Sequence, residues 1–511
     1  MSFLRFHKIF DRLKRLCGYD VVKCFGAGLV SFLMSPPFYL FFFSSICMSL
    51  VYYSAIQESK FSRSVKKLFY MYMGYYIGIF YWFMVPFFLD IRYWLLVPFA
   101  LIGVGFIFAL VASFFFVPVL MVRKYVKRCP FYVYVLAACS FFCTEWFRSN
   151  VLVGGMPWQN VGLLFSATSG MLKIASGLSQ IQLDVLVSLV LFTPLLFSNC
   201  RRARLYVFAV PVLLWSAMYI LPGRKPIRVD GPTKKAFSIV GMQGNVSSDD
   251  VYSSSMSDEA RKKIFKVYSS MVEEEKVDKD TIVVLPEGAV GFYYRDFADG
   301  IYRRMSSMLN NDGGLIFFPS VVVMRRDVFE ESPGSVLYNS VSVVDHKANL
   351  IGLNPKLKMV PFGEYVPLRI LMPKFVQSII GLGDISAGRR DDRQHIIHNG
   401  IKIATVVCYE IAFDDNFVDK YGNKPNMIIS VANDGWIENS LGLYQHIAFV
   451  KLRASMYGVP IFHVVNNGPS FVCDKFGNII KSTKFRTKDI LRANLLYEDY
   501  NGRYRKDCFF E

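Results

Sequence analysis

Long blocks of apolar side chains, broken by short basic loops, fill the first 220 residues of this chain, and they limit what it can become. Five of them are candidate membrane spans: Pro37 to Ala55, Leu68 to Leu89, Trp94 to Met121, Phe131 to Phe147 and Leu205 to Leu221. Each is about long enough for a hydrocarbon core of roughly 30 Å. Two shorter stretches, Val21 to Met34 and Leu183 to Phe197, complete an expected set of seven. Basic clusters fall at alternate boundaries: Arg5 to Arg15, Lys60 to Lys67, Arg123 to Arg128 and Arg201 to Arg204. The loop Asp90 to Arg92 is nearly neutral. Positive residues collect on the cytoplasmic side, so the N-terminus is expected there and the remaining chain outside.

Whole-chain composition agrees with this division. The chain is 53% hydrophobic with a formal net charge of +18, and its Lys and Arg lie in the loops rather than in a basic stripe with interleaved aromatics. That charge reads as topology signal and contact with anionic lipid, not as a nucleic-acid surface. Ten cysteines contain no CxxC pair, so neither a metal site nor a disulfide framework is expected. Met1 to Tyr19 is basic, but the apolar stretch after it lacks a small-residue cleavage site, and no cleavable signal peptide is expected. The boundary falls after Pro222-Gly223, giving a membrane domain over 1–223 and a second domain over 224–511.

In the second domain the periodicity changes to short β-branched runs. Strands are expected at Ala236 to Met242, Thr281 to Leu285, Leu315 to Val323, Tyr338 to Val344, Ile401 to Cys408, Met427 to Ala432 and Pro460 to Val465. A helix capped by Ser257 or Asp258 carries Ile264, Val267, Tyr268 and Met271 on one face, and Leu443 to Tyr457 reads as another. This pattern is an α/β domain.

Three strand-end motifs in it supply chemistry. Val-Val-Leu-Pro-Glu-Gly-Ala ends one strand with Glu287; Asn354 to Tyr365 offers Lys356, Lys358 and Glu364; and Ile401 to Ile411 delivers Cys408, followed by Tyr409 and Glu410. A carboxylate, a cation and a thiol make a complete set for acyl transfer through a thioester. The carboxylate takes the thiol proton, and the ammonium, with the N–H of Tyr409, stabilises the oxyanion. His446 and His463 are the competing partners for a Cys–His pair. In the membrane half, Glu145 and Arg148 stand at i, i+3, and Gly-Gly-Met-Pro-Trp-Gln follows with Trp158. Those residues read either as an interfacial anchor or as the wall of a lipid-binding cavity.

The Glu287, Lys356, Cys408 order resembles the nitrilase superfamily. Val-Pro-Phe-Gly-Glu-Tyr-Val-Pro, Cys-Tyr-Glu-Ile and Asn-Asp-Gly-Trp, behind a half carrying Glu-Trp-Phe-Arg and Met-Pro-Trp, resemble the apolipoprotein N-acyltransferase family. The resemblance implies a multi-span α-helical membrane domain joined to a nitrilase-like αββα sandwich on the periplasmic side of a bacterial inner membrane. It implies acyl transfer from a phospholipid, typically phosphatidylethanolamine, to the N-terminal amine of a diacylglyceryl-cysteine apolipoprotein, with no diffusible cofactor and no metal. Carried onto this sequence, Glu287 is the base, Lys356 the oxyanion cation, Cys408 the nucleophile and Glu364 an auxiliary carboxylate holding Lys356. Tyr409 and Glu410 are the nucleophile's essential neighbours, and Trp436 is an aromatic near the lipid entrance. Gln243-Gly244-Asn245 matches a first-strand motif. The alternative within the superfamily is a membrane-anchored amidase, and outside it a transporter or receptor whose outer domain only binds.

The sequence departs from the family pattern in several places. Leu285 stands where a Trp is usual, Tyr444 replaces another, Met456 replaces a glutamate, and the tryptophan expected shortly after Asn245 is absent. The family pattern also closes with an eighth span, whereas this sequence ends in Asn501 to Glu511, which leaves the outer domain an expected single tether. Pro367 to Arg390, rich in large apolar residues, reads as core helix or as an arm that gates lipid entry.

Overall fold

A computed structural model of the chain describes residues 19–89, 91–197, 204–223, 234–247, 258–275, 277, 280–291, 293–294, 299–309, 313–325, 335–361, 363–367, 385–414, 417–419, 421–437, 439–498 and 507–511. Most of the Pro367 to Arg390 arm, the first basic cluster and Ser257 lie outside the described residues. The chain divides into two compact units, one of Met1–Gly223 with Ile437–Ala448, the other of Arg224–Trp436 with Phe449–Glu511.

The first unit is helical: α1 (Tyr19–Val30), α2 (Phe41–Gln57), α3 (Phe61–Phe80), α4 (Val97–Val126), α5 (Pro130–Asn150), α6 (Gln180–Leu191) and α7 (Arg204–Ile220). Among the described residues, the stretches long and apolar enough to cross a membrane are Trp94–Val126, Pro130–Asn150 and Gln180–Phe197; Phe41–Gln57 and Phe208–Ile220 are shorter apolar helices. Sequence bounds shift where polar groups find partners. Helix α3 begins at Phe61, ahead of the expected Leu68, and the Lys67 ammonium in its second turn reaches Ser54 Oγ at 2.8 Å and Glu58 at 3.1 Å. It stops at Phe80, and the rest of the expected span to Leu89 breaks into a 3-10 turn, Tyr81–Met84, and a short helix, Val85–Leu89, with Pro86 in its first turn. Proline lacks the N–H that a continuous helix needs there. Helix α6 starts before the apolar run because Ser179 and Gln182 form a reciprocal capping box at its N-terminus.

The second unit is built on two sheets. One runs β14 (Asp507–Phe510), β13 (Asp489–Glu498), β1 (Lys234–Gln243), β2 (Ile282–Val284), β4 (Leu315–Arg325), β5 (Ser335–Asp345) and β6 (Leu350–Pro355), with β3 (Tyr293–Tyr294) beside β4; the other runs β12 (Ile479–Ser482), β11 (Phe471–Cys473), β10 (Ile461–Val465), β9 (Met427–Ala432), β8 (Ile401–Val407) and β7 (Ile396–His398). In the first, β1 (Lys234–Gln243), β2 (Ile282–Val284) and β4 (Leu315–Arg325) are parallel, while β5 (Ser335–Asp345) and β6 (Leu350–Pro355) continue antiparallel. In the second, β8 (Ile401–Val407), β9 (Met427–Ala432) and β10 (Ile461–Val465) are parallel. Parallel strands covered on both faces read as unbroken apolar runs, which is why these were legible in the sequence. Strand alternation sorts their side chains. Ile282, Val284, Leu315 and Phe317 pack with Ile403, Val407, Ile429, Val431 and Val464 in one core between the sheets. Val283, Leu285, Ile316 and Phe318 turn the other way, onto Ile264, Tyr268 and Met271 of helix α8 (Asp258–Glu275) and onto Tyr302 and Met305. The sheets approach closely at Gly241, where an added Cβ would meet Val464 at 2.6 Å and Phe462 at 2.9 Å. Strands β13 (Asp489–Glu498) and β14 (Asp507–Phe510), outside the expected set, extend the first sheet along the far side of β1. The last described residues are therefore a sheet edge.

Candidate active site

Each of the three expected reactive groups sits just beyond a strand end. Glu287 follows β2, Lys356 follows β6 and Cys408 follows β8. Glu287 and Lys356 come from one sheet and Cys408 from the other. The Lys356 backbone is pinned on both sides, its N–H donating to Asn339 O at 2.7 Å and its carbonyl accepting from Gly388 N at 2.8 Å. Its ammonium is 1% exposed, contacts the Glu364 carboxylate at 2.9 Å and stands 3.8 Å from Glu287 Oε1. Glu364 is itself held by the Val360 N–H at 2.8 Å. Asn339 binds the carboxylates together: its Nδ2 donates to Glu287 Oε1 and to Glu364 Oε1, each at 2.8 Å. The second oxygen of Glu287 accepts the N–H of Asn433 at 3.2 Å, from the end of β9 in the opposite sheet.

Cys408 opens a 3-10 turn, Cys408–Ala412, and has φ +49°, a left-handed backbone that a side chain rarely adopts. Such conformations cost on the order of 1–3 kcal/mol and persist only where the surroundings over-determine them. The turn is over-determined by Glu410, whose carboxylate accepts from Val407 N at 2.8 Å, Leu357 N at 2.7 Å and Arg393 Nη2 at 2.7 Å. Tyr409 is buried with its ring edge-on to Phe413 at 5.2 Å, and the Lys358 ammonium lies 4.9 Å over that same Phe413 ring.

The electrostatics follow from burial and from these pairings. Burial pushes the Cys408 thiol well above its usual range; the charge of Glu287 adds to this and that of Lys356 opposes it. Glu287 is raised above an ordinary glutamate, first by burial, against the pull of Lys356 and with the push of Glu364. For Lys356 burial works downward, but the charges of Glu364 and then Glu287 outweigh it and its pKa is raised. The site therefore holds a neutral thiol, a base of increased proton affinity and a fixed cation. Such a combination is suited to activating a sulfur as it attacks, rather than to storing a thiolate. His463 is used elsewhere, with Nδ1 3.0 Å from Ser430 Oγ and its ring against Phe471. His446 lies in the first unit, its ring against Trp158.

The Carbon-nitrogen hydrolase family model matches residues 254–501, and the Apolipoprotein N-acyltransferase N-terminal domain model matches residues 27–193. Between them they cover most of the chain. The chain belongs to the apolipoprotein N-acyltransferase family. Its relatives include the apolipoprotein N-acyltransferases of Rhizobium etli, 27% identical over 392 residues (73% of this chain, 70% of that protein), and of Rhizobium rhizogenes, 28% identical over 373 residues (70% and 66%). The chain thus spans about two thirds of the length of these relatives. Among solved structures, Saccharomyces cerevisiae Nit3, a member of branch 10 of the nitrilase superfamily, is 14% identical over 52% of this chain and 92% of that one, with a TM-score of 0.35. Like its family, the protein is a membrane protein and an acyltransferase.

The departures from the family pattern have local explanations. Leu285 is fully buried in the core under α8, and its N–H pairs with Phe317 O. Met456 faces Arg453, whose guanidinium instead reaches Asp414 and the carbonyls of Ile411 and Ala412, at the end of the nucleophile turn. Tyr444 is exposed and donates to Asn439 at 3.3 Å. Gln243 braces the two sheets: its Oε1 accepts from Ser470 and Thr483, and its Nε2 donates to the carbonyls of Lys484 and Thr487. Trp436 is half-buried in the turn three residues past Asn433.

In the first unit, Glu145 and Arg148 pair at 2.7 Å and are 1% and 0% exposed. Tyr76 donates to Glu145 at 2.8 Å, and the Arg148 guanidinium donates to the carbonyls of Met156, Trp158 and Gln159. Trp158 is 2% exposed and lies against Trp82 at 5.6 Å. These side chains bind the broken segment after α5 back onto that helix. They belong to a different unit from Glu287, Lys356 and Cys408.

Sequence reasoning missed Asn339, Arg393 and Asn433. Asn339 had a faint signal, an amide in the middle of the run Val336 to Val344, where valines and other strand formers predominate. Arg393 had none, since it ends the run Arg-Arg-Asp-Asp-Arg that reads as a solvated charge cluster.

Proposed function

We propose that this chain transfers an acyl group from a membrane phospholipid, phosphatidylethanolamine in the simplest case, to the N-terminal amine of a diacylglyceryl-cysteine apolipoprotein, through a thioester on Cys408. The single observation that carries the reading is a buried thiol on a left-handed turn, within the fields of the Glu287 carboxylate and the Lys356 ammonium, in a chain whose residues 27–193 match the family's N-terminal domain. In the first half-reaction Glu287 takes the thiol proton as the sulfur attacks the ester carbonyl. The oxyanion is stabilised by the Lys356 ammonium and the Tyr409 N–H. The C–O bond breaks, Glu287 returns the proton to the departing glycerol oxygen, and the lysophospholipid leaves. In the second, the lipoprotein amine attacks the thioester and gives its proton to Glu287. The C–S bond breaks, and the proton passes to the Cys408 sulfur. Burial of the site keeps water from the thioester. Alternating basic loops support a multi-pass arrangement in a bacterial inner membrane with the second unit on the periplasmic side.

The test is incubation of the purified protein with phosphatidylethanolamine and a diacylated lipopeptide. Mass spectrometry is expected to find an acyl adduct on Cys408, discharged when the peptide gains a third chain, and no adduct in Cys408→Ala. Release of ammonia from a simple amide, with no acyl gain by the peptide, would instead make the protein an amidase.

A further inference from the structure

We propose that Arg393 is a positioning residue for acylation, acting through Glu410 to hold the lysine strand and the nucleophile turn in one register. The inference rests on the transfer reading above and concerns residues outside the reacting set. Arg393 is 2% exposed although it closes a run of five charged residues. Its Nη1 donates to Thr405 O in β8 at 2.8 Å, and its Nη2 donates to Glu410 Oε1 at 2.7 Å. Glu410 has no exposed surface, and it also accepts from two backbone N–H groups. One belongs to Leu357, directly after Lys356; the other belongs to Val407, directly before Cys408. A single carboxylate therefore grips both sheets one residue from the cation and one residue from the thiol.

The next residue adds a second tie at the same level. Asn354 of β6 donates to Gln394 O and to Thr405 Oγ1, each at 3.0 Å, and accepts from Gln394 N at 3.1 Å. Residues 393–394 thus stitch the end of β6 to β8. The guanidinium matters because a buried carboxylate held by amides alone keeps its charge uncompensated. Lys356 cannot supply that compensation while it is committed to Glu364 and Glu287. Without Arg393 the buried Glu410 carboxylate loses the guanidinium that faces it, and keeping that charge under cover costs more than letting go of the two backbone N–H groups it holds. The clamp then opens, and the left-handed turn at Cys408 loses the contacts that hold it.

The experiment compares wild type, Arg393→Gln, Arg393→Lys and the charge-neutral pair Arg393→Gln with Glu410→Gln, in full-length protein in detergent. Readouts are thermal midpoint, the rate and donor KM of Cys408 acylation, and the rate of Cys408 alkylation by iodoacetamide. Arg393→Gln is expected to slow acylation and alkylation at least tenfold with donor KM within twofold of wild type. Arg393→Lys is expected to fall between the two. The neutral pair is expected to regain most of the thermal midpoint while acylation stays at least tenfold slow. Recovery of both stability and acylation in the neutral pair, or a wild-type rate in Arg393→Gln, overturns the proposal. A wild-type protein that never takes up an acyl chain refutes the transfer reading instead, and the alkylation rates still decide the clamp.

Discussion

Replacing Asn339 with leucine removes both amide donors and keeps the branching of the side chain, and its consequence for pH dependence can be worked out from the site. The Nδ2 of Asn339 is 2.8 Å from an oxygen of Glu287 and 2.8 Å from an oxygen of Glu364. Hydrogen bonds to charged groups contribute about 1.5–3 kcal/mol each. For Glu287 the lost bond stabilised only the ionised form, so its proton affinity, already raised by burial, rises further. At about 1.4 kcal/mol per pH unit, the shift is roughly one to two units upward. The base works deprotonated, so the rate of acylation rises with pH through the Glu287 pKa. In wild type that acid limb lies above the range of an ordinary glutamate, and in Asn339→Leu it is expected about one to two units higher still. Single-turnover acylation of Cys408, quenched and weighed by mass spectrometry across the pH range, measures the limb directly. A limb at the same pH in both proteins would refute the assignment of Asn339 as the residue that tunes the base. Weakened binding of phospholipid alone would lower the rate uniformly and leave the limb in place.

Two further outcomes follow from buried polar groups. Arg148→Met strands the Glu145 carboxylate and releases three carbonyls, and breaking a buried pair costs about 3–5 kcal/mol. A large fall in thermal stability in detergent, with donor KM unchanged in the folded fraction, is expected; a raised KM at unchanged stability would instead assign these residues to a lipid cavity. Gln243→Leu removes the hydrogen bonds accepted from Ser470 and Thr483 and those donated to the carbonyls of Lys484 and Thr487, at about 0.5–1.5 kcal/mol each. It is expected to lower the denaturant midpoint of the second unit while turnover per acylatable Cys408 stays at the wild-type value.

How much could be read from the sequence depended on what each residue had to satisfy. The strands carrying Val283, Val406 and Ile429 are buried on both faces, so each is an apolar run between turn residues, and their ends carried Glu287 and Cys408. Strands β13 and β14 have mixed composition because they lie toward the edge of the first sheet, and nothing in their periodicity separated them from a solvated tail. Membrane helices were visible as blocks, but their starts were set by local polar partners, Lys67 on Ser54 and Glu58, and Ser179 on Gln182. The proposed reactive set was legible because acyl transfer through a thioester demands particular side chains, and they stand at strand ends. The residues that hold it were not, because Asn339, Arg393 and Asn433 act through partners 52, 17 and 146 residues away in the chain.

That asymmetry has a structural reason. The base and the cation are delivered by one sheet and the thiol by the other, so the spacing of the three in sequence says nothing of their spacing in space. What sets that spacing is the distance between the sheets. Gly241 lets β1 approach β10 where any side chain would clash with Val464 and Phe462, and Ile282, Val284, Val407 and Val431 fill the layer on the way to the site. Hydrogen bonds then cross the layer near the C-terminal ends of its parallel strands: Asn433 N–H to Glu287, Leu357 N–H to Glu410, and Asn354 to Thr405. Polar groups that find partners only across the gap are satisfied only when the sandwich is closed, since buried groups left unpaired are costly. The packing of the apolar core and the placing of the catalytic groups are therefore one event. A cavity made in that core by a large-to-small substitution should slow acylation as well as loosen the fold, whereas the same substitution under α8, on the far face of β2, should affect stability alone.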